Sequence, residues 1–284
     1  MNPAQAVARP RRAHRVGVIL REEYRRALEG RWLFGFTILF ALLVLGLSYF
    51  GLAQSREAGF QGFARVTLSL MNLVLMIVPL TGLLLGVTSL AAGESLALLL
   101  AQPVARGEVL AGKFLGLGLA FSAAQAVGLG AGGLGIALTA GTEQLGGFIT
   151  LTVLALALGW LSIAAALAIA VVWPDRLRAM SIALLLWLLM VVAYDLAVLG
   201  ATTILNGLPL EAVLFPALLI NPIDLARVLV TLAVGSGALF GPTSAVLAKL
   251  FGAGGGIALG LAVLLLETLI PLVVAARVFR RRDW

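Results

Sequence analysis

FITLTVLALALGWLSIAAALAIAVVW, residues 148–173, runs for 26 residues without one charged side chain. At about 1.5 Å of helix rise per residue it would reach about 39 Å, more than the ~30 Å hydrocarbon core of a bilayer. No water reaches that depth. Every backbone N–H and C=O must therefore pair within the protein, which only a helix or a closed barrel achieves. The period-two alternation of a barrel strand is missing from the run. It reads as a transmembrane helix.

Five more runs share this character: Trp32–Ala53, Val66–Ala92, Phe114–Ala140, Ala179–Leu205 and Gly256–Ala276. The expected fold is an all-α integral membrane protein, one membrane domain over residues 1–284 with six transmembrane helices. Composition agrees. Of 284 residues, 61% are hydrophobic and 12% charged, too few polar groups to cover the surface of a water-soluble globule. A soluble enzyme, a disordered chain and a disulfide scaffold are excluded. Cys is absent, so thiolate metal sites and Cys nucleophiles are too. The single His, His14, stands before the first run, so an intramembrane hydrolase has no Ser-His pair to use.

The net charge of +7 would suggest nucleic acid in a soluble protein, but here it reads as topology. Residues 1–31 hold eight Arg and no apolar core, unlike a cleavable signal peptide. With six spans, 16 of the 20 Lys and Arg fall on one side: the N-terminal stretch, the loops after the second and fourth spans, and the C-terminal end. That side is expected to be cytoplasmic, with both termini on it. The stretch Leu210–Val234 is long enough to compete as a seventh span. It contains Asn221-Pro222, Asp224 and Arg227, however, and a central charge costs about 2.5–3.5 kcal/mol on insertion scales. Asn221 suits a helix N-cap, Pro222 the first helical position and Asp224 the first turn. The reading is two short outer-face helices, about 211–220 and 222–234, within an outer segment 206–255.

His14–Arg31 carries Val16, Leu20, Tyr24, Ala27 and Leu28 at three- and four-residue steps, one apolar stripe of an amphipathic helix. Glu22/Arg26 and Arg25/Glu29 are four apart and can pair on its polar face. Such a helix fits the membrane surface, with Arg21, Glu22, Glu23, Arg25 and Arg26 available to a partner or to lipid. Gly82/Gly86, Gly112/Gly116, Gly128/Gly132 and Gly256/Gly260 each have the small-xxx-small spacing that lets helices approach closely in lipid, here expected within the chain.

The loop GESLALLLAQPVARGEVLAGKF, residues 93–114, holds a short apolar helix, Gln102-Pro103, a basic turn and a second helix start. Gly107 to Gly112-Lys113 matches seven positions of a phosphate-binding loop. The eighth is Phe114 where Ser or Thr would hold magnesium, and a span follows in place of a soluble α/β core. This chain is not expected to bind nucleotide. Met71, Met76, Met180 and Met190 read as packing residues, since four thioethers at unrelated depths make a poor metal site. Two acids lie within apolar runs, Asp195 and Glu267, and either could serve structure or face a cavity.

The stretches REEYRRALEGRWL (residues 21–33) and 93–114 resemble the charged entry helix and first cytoplasmic loop of the type-2 ABC transporter permeases. Within that family, Tyr194-Asp195-Leu196, the segment Asn221–Leu225 and the terminal Phe279–Arg282 look most like the permease of nitrous-oxide-reductase maturation. The usual glutamate-rich turn is reduced here to Gly93-Glu94-Ser95. The resemblance implies a homodimeric permease in a prokaryotic cytoplasmic membrane, without catalytic residues, cofactor or metal of its own. Separate ABC ATPase subunits would bind ATP and magnesium. It implies a coupling helix within 93–113, with Gly93, Glu94, Gln102, Pro103, Arg106 and Gly107 at the ATPase contact. An outer accessory protein at 211–234 and a role in copper-site maturation follow in the same way. The alternative from another class is an ion- or proton-coupled carrier using Asp195 and Glu267.

Overall fold

A computed structural model of the chain describes residues 12–55, 62–91, 104–140, 145–197, 200, 216–234 and 242–281. The helices are α1 (Arg12–Glu29), α2 (Arg31–Ser55), α3 (Gly62–Leu90), α4 (Arg106–Ala140), α5 (Leu145–Val172), α6 (Arg176–Leu188), α7 (Pro222–Ala233) and α8 (Pro242–Arg281). A π-turn at Leu189–Ala193 extends α6, and helix continues to Ala197. Among the described residues, α2, α3, α4, α5, the extended α6 and α8 are long and apolar enough to cross a membrane. Six spans in an all-α membrane protein are what composition and run length require.

α5 is the centre. Sixteen of its residues are buried, and it packs on α3, α4, α7 and α8. The residue spacing explains how. A Cβ built on Gly82 would stand 2.9 Å from Ser162 Cβ, and one on Gly86 only 2.5 Å from Ala166 Cβ, so α3 and α5 meet almost backbone to backbone. Gly128 and Gly132 likewise receive Phe40 and Val44 of α2 at 2.5 and 2.3 Å, and Gly260 of α8 seats Leu229 of α7 at 2.3 Å. These seams lie within one chain, as expected. In lipid, close dispersion contact of this kind supplies the attraction that exclusion from water gives elsewhere.

Hydroxyls inside the spans avoid isolation by donating back one turn: Ser48 to Val44 O, Thr81 to Ile77 O, Ser162 to Leu158 O and Thr268 to Leu264 O. Pro79 and Pro271 sit inside α3 and α8. Each lacks an N–H and so frees the carbonyl four residues earlier, that of Leu75 and of Glu267 itself.

Two boundaries and one placement differ from expectation. α4 starts at Arg106 rather than Phe114, because the N-terminal turn is stabilised locally by Glu108, so the end of the 93–113 loop belongs to the span. α8 starts at Pro242, inside the segment assigned to the outer face. α7 does begin at an Asn221 cap, whose Oδ1 accepts the Ile223 N–H at 3.1 Å. Its 12 residues measure about 18 Å, too short to cross. It does not lie on an outer surface, however. Ile223, Leu225, Ala226, Leu229 and Val230 are buried, so it is wedged into the bundle against α5 and α8. Of the companion 211–220, only residues 216–220 fall within the described residues, one helical turn and its closing turn.

Substituting Ala at Gly86 tests the α3–α5 seam. Ala is favoured over Gly by about 1 kcal/mol in an open helix, but forced overpacking costs about 1–3 kcal/mol. Gly86→Ala should lower the thermal midpoint in detergent, while Gly35→Ala, with nothing within 4 Å of its Cβ, should leave it unchanged or raise it.

Candidate functional site

Lys113 faces inward from the second turn-pair of α4 and is 1% exposed. Its ammonium spends its three N–H groups on Glu23 Oε2 at 2.9 Å, Ser89 O at 3.1 Å and Ser89 Oγ at 3.1 Å. The Ser89 hydroxyl donates to Glu23 Oε1. One closed network thus joins α1, the end of α3 and the start of α4. Taking two charges out of water costs several kcal/mol per ion, so the pair survives only because further hydrogen bonds complete it. Position allows this: Gly112 and Gly116 flank Lys113 on α4, and Cβ atoms there would strike Ile19 Cγ2 at 2.6 Å and Leu20 O at 2.7 Å. The glycines bring α1 close enough for Glu23 to reach Lys113.

One turn earlier, Glu108 is 2% exposed. Its Oε2 accepts the Ala105 N–H at 3.2 Å, the reach-back of an N3 glutamate to the N-cap, and its Oε1 accepts from Arg15 Nη2 at 3.0 Å. Arg106 Nη1 donates to Phe279 O at 3.0 Å, near the end of α8. The segment between α3 and α4 is therefore held at both roots. Ser89, just before it, is tied to Glu23, and Glu108, just after it, to Arg15, both on α1. The second root is also tied to α8.

The residues expected at this site are divided by the structure. Gly93, Glu94, Gln102 and Pro103 lie outside the described residues. Arg106 and Gly107 form the first turn of α4. On α1, Arg21, Glu22, Arg25 and Arg26 are exposed, with the expected Arg25–Glu29 and Arg26–Glu22 pairs at 2.7 and 2.8 Å. Exposed pairs of this kind contribute little. Glu23 belongs elsewhere: it is buried, in line with Ile19 and Ala27. The buried stripe is thus rotated from the one read in the sequence, and Leu28 is exposed. Lys113, Ser89, Glu108 and Arg15 were missed. The Glu108 reach-back had a local signal, a glutamate three residues after a cap position. Glu23 and Lys113 had none, being 90 residues apart.

At the opposite end of the bundle, Arg227 Nη1 bonds Asp224 Oδ1 at 2.6 Å, the expected local pair, and lies 3.4 Å from both Asp195 oxygens. Asn221 Nδ2 also donates to Met190 O at 2.8 Å within the π-turn, so one side chain caps α7 and docks it to α6. Burial holds the Asp224 carboxyl above the usual range, Arg227 opposes this, and Asp195 adds to it. Glu267 is elsewhere, lining a cavity of about 220 Å³ that Asp195 does not line. The two acids of the carrier reading are not brought into one site.

The model of the ABC-2 family transporter proteins matches residues 18–284. The chain belongs to the ABC-2 transporter permease family. It is similar to the probable ABC transporter permease protein NosY of Stutzerimonas stutzeri, 33% identical with 93% of this chain and 97% of that one covered. It is also 35% identical to the probable permease protein NosY of Pseudomonas aeruginosa, over 75% of this chain and 80% of that one. This permease is thus a multi-pass, non-catalytic transmembrane subunit of an ABC transporter, and its family implies a separate ABC ATPase partner.

Breaking a buried pair by removing one partner costs about 3–5 kcal/mol. Glu23→Gln and Lys113→Met should each destabilise the permease strongly in denaturation measurements. The double variant should lose clearly less than the sum of the two.

A carboxyl raised in the folded state favours the protonated fold. Its contribution is fully present below the unfolded value and is lost as pH rises through the folded one. Asp224→Asn should flatten the pH dependence of the thermal midpoint above the ordinary carboxylate range, and raise the midpoint at neutral pH.

Proposed function

We propose that the segment within 93–113 is the coupling element of this permease and that α1 is the lever behind it. The carrying observation is that both roots of the segment are tied to α1, through the buried Ser89–Glu23–Lys113 network and through the buried Glu108 bonded to the half-buried Arg15. A push on Gly93, Glu94, Gln102 and Pro103 by an ATPase would then shift α1, α3 and α4 together. Arg106, bonded to the end of α8, would carry it to the last span. ATP and magnesium belong to the ATPase, and in this reading the permease contributes only the groove-seated helix.

The basic end of the bundle, with α1 and the end of α8, faces the cytoplasm of a prokaryotic cytoplasmic membrane in this proposal, because the Lys and Arg excess marks that side. Exposed Arg21, Arg25 and Arg26 would lie towards lipid headgroups or the ATPase. A homodimer working as an exporter, or transmitting force to an outer protein in copper-site maturation, rests on the family resemblance and on the similarity to the NosY permeases. An outer partner would dock at the 211–234 segment in this proposal, although Ile223, Leu225, Ala226, Leu229 and Val230 of α7 are buried and offer it no surface.

Charge reversal at Glu94 and at Arg106 checks the assignment. Copurified complexes should lose ATPase binding or the coupling of ATP hydrolysis to transport. Wild-type complex formation and coupled activity in both variants would sink it.

A further inference from the structure

Between α3, α5, α6, α7 and α8 lies the cavity of about 220 Å³ that Glu267 lines. Its walls are almost wholly apolar, Leu158, Leu161, Leu186 and Ile223 among them, and Pro79 of α3 and Pro271 of α8 line it too. Its polar groups are few. Ser162 Oγ gives its proton to Leu158 O at 2.7 Å and keeps its lone pairs. Trp187 has its indole N–H engaged with Met76 O at 3.0 Å, so what remains to a ligand is its π-system. Glu267 Oε2 is buried and has no hydrogen-bond partner.

That orphan is chemically informative. An ionised carboxylate there needs a donor, and a protonated one needs an acceptor; among the described residues neither is supplied to Oε2. An apolar wall with one unpaired acid, one hydroxyl acceptor and one aromatic ring is complementary to an organic cation. An inorganic divalent ion is a poor fit, because it would require several oxygen ligands in place of its water. The volume is larger than the ~150 Å³ cavity that takes a benzene ring, so a ring with a short substituent is the matching size. The mouth is apolar too, since the lining residues Ile220 and Ile270 are 70% and 58% exposed. A ligand that partitions into lipid would reach it there.

We propose that this cavity is a lateral binding site for a small lipophilic amine, its N–H⁺ donated to Glu267 Oε2 and its apolar body held by the α5–α6 wall. The site is a property of this chain alone and stands independently of the coupling proposal.

The test is equilibrium dialysis of radiolabelled N,N-dimethylbenzylamine, a tertiary amine protonated at neutral pH, against the full-length chain in nanodiscs, with empty nanodiscs as blank. The carbon analogue isobutylbenzene is the neutral control. The expected result is saturable binding of one amine per chain. Glu267→Gln should weaken it at least tenfold and leave isobutylbenzene binding unchanged, and Ala165→Phe, which fills the cavity, should abolish both. Amine binding unchanged in Glu267→Gln or retained in folded Ala165→Phe would overturn the proposal, as would absence of saturable binding to the folded wild-type chain.

Discussion

A bilayer offers a buried charge no solvent, so its only remedy is another group of the protein. The Lys113 ammonium meets that constraint with three acceptors, two of them on Ser89, and α1, α3 and α4 are joined around it. Glu23 must come from α1, so α1 cannot drift along the membrane surface; it is drawn against α4. Gly112 and Gly116 must be glycine for that approach, since a Cβ at either would meet α1 at under 3 Å. Ser89 must end α3 within reach of the same ammonium. One ion pair thus sets the relative placement of three helices.

The same logic explains why residues on both flanks of the 92–103 segment are tied to α1. Exposed charges on α1, such as Arg25 and Glu29, pair along one helix and constrain nothing beyond it. The buried Glu23 and the half-buried Arg15 pair across 90 and 93 residues of sequence and so carry tertiary information. A buried network that breaks when one member moves makes a stiff connection, which is what force transmission asks of a subunit that hydrolyses nothing itself. At the opposite end, Arg227 is shared between two acids and α7 is docked through Asn221.

Much of the fold was legible from residues alone, for a physical reason: crossing a membrane imposes length and apolarity on every span. The Asn221-Pro222 cap and the Arg25/Glu29 and Arg26/Glu22 pairs were also legible, because each is completed within five residues. A second helix start after the basic turn was legible as well, but its continuity with the apolar run from Phe114 was not, because Glu108 stabilises the first turn through Ala105 and Arg15. The α1 stripe was misplaced because Glu23 was counted with the polar face. Periodicity assigns a glutamate outward by default, and only a cation on another helix reverses that.

By itself, then, the sequence determined the solvent of this protein, the number of crossings and, through local motifs, its resemblance to the permease family. All of these depend on run lengths, composition and near neighbours. Tertiary structure alone decided that Glu23 and Lys113 are one unit, that Asp195 and Glu267 are two separate sites, and that α7 lies inside the bundle. Those outcomes depend on which helix faces meet, and in lipid that is settled by close packing at glycines and by the pairing of the few polar groups that no water can reach.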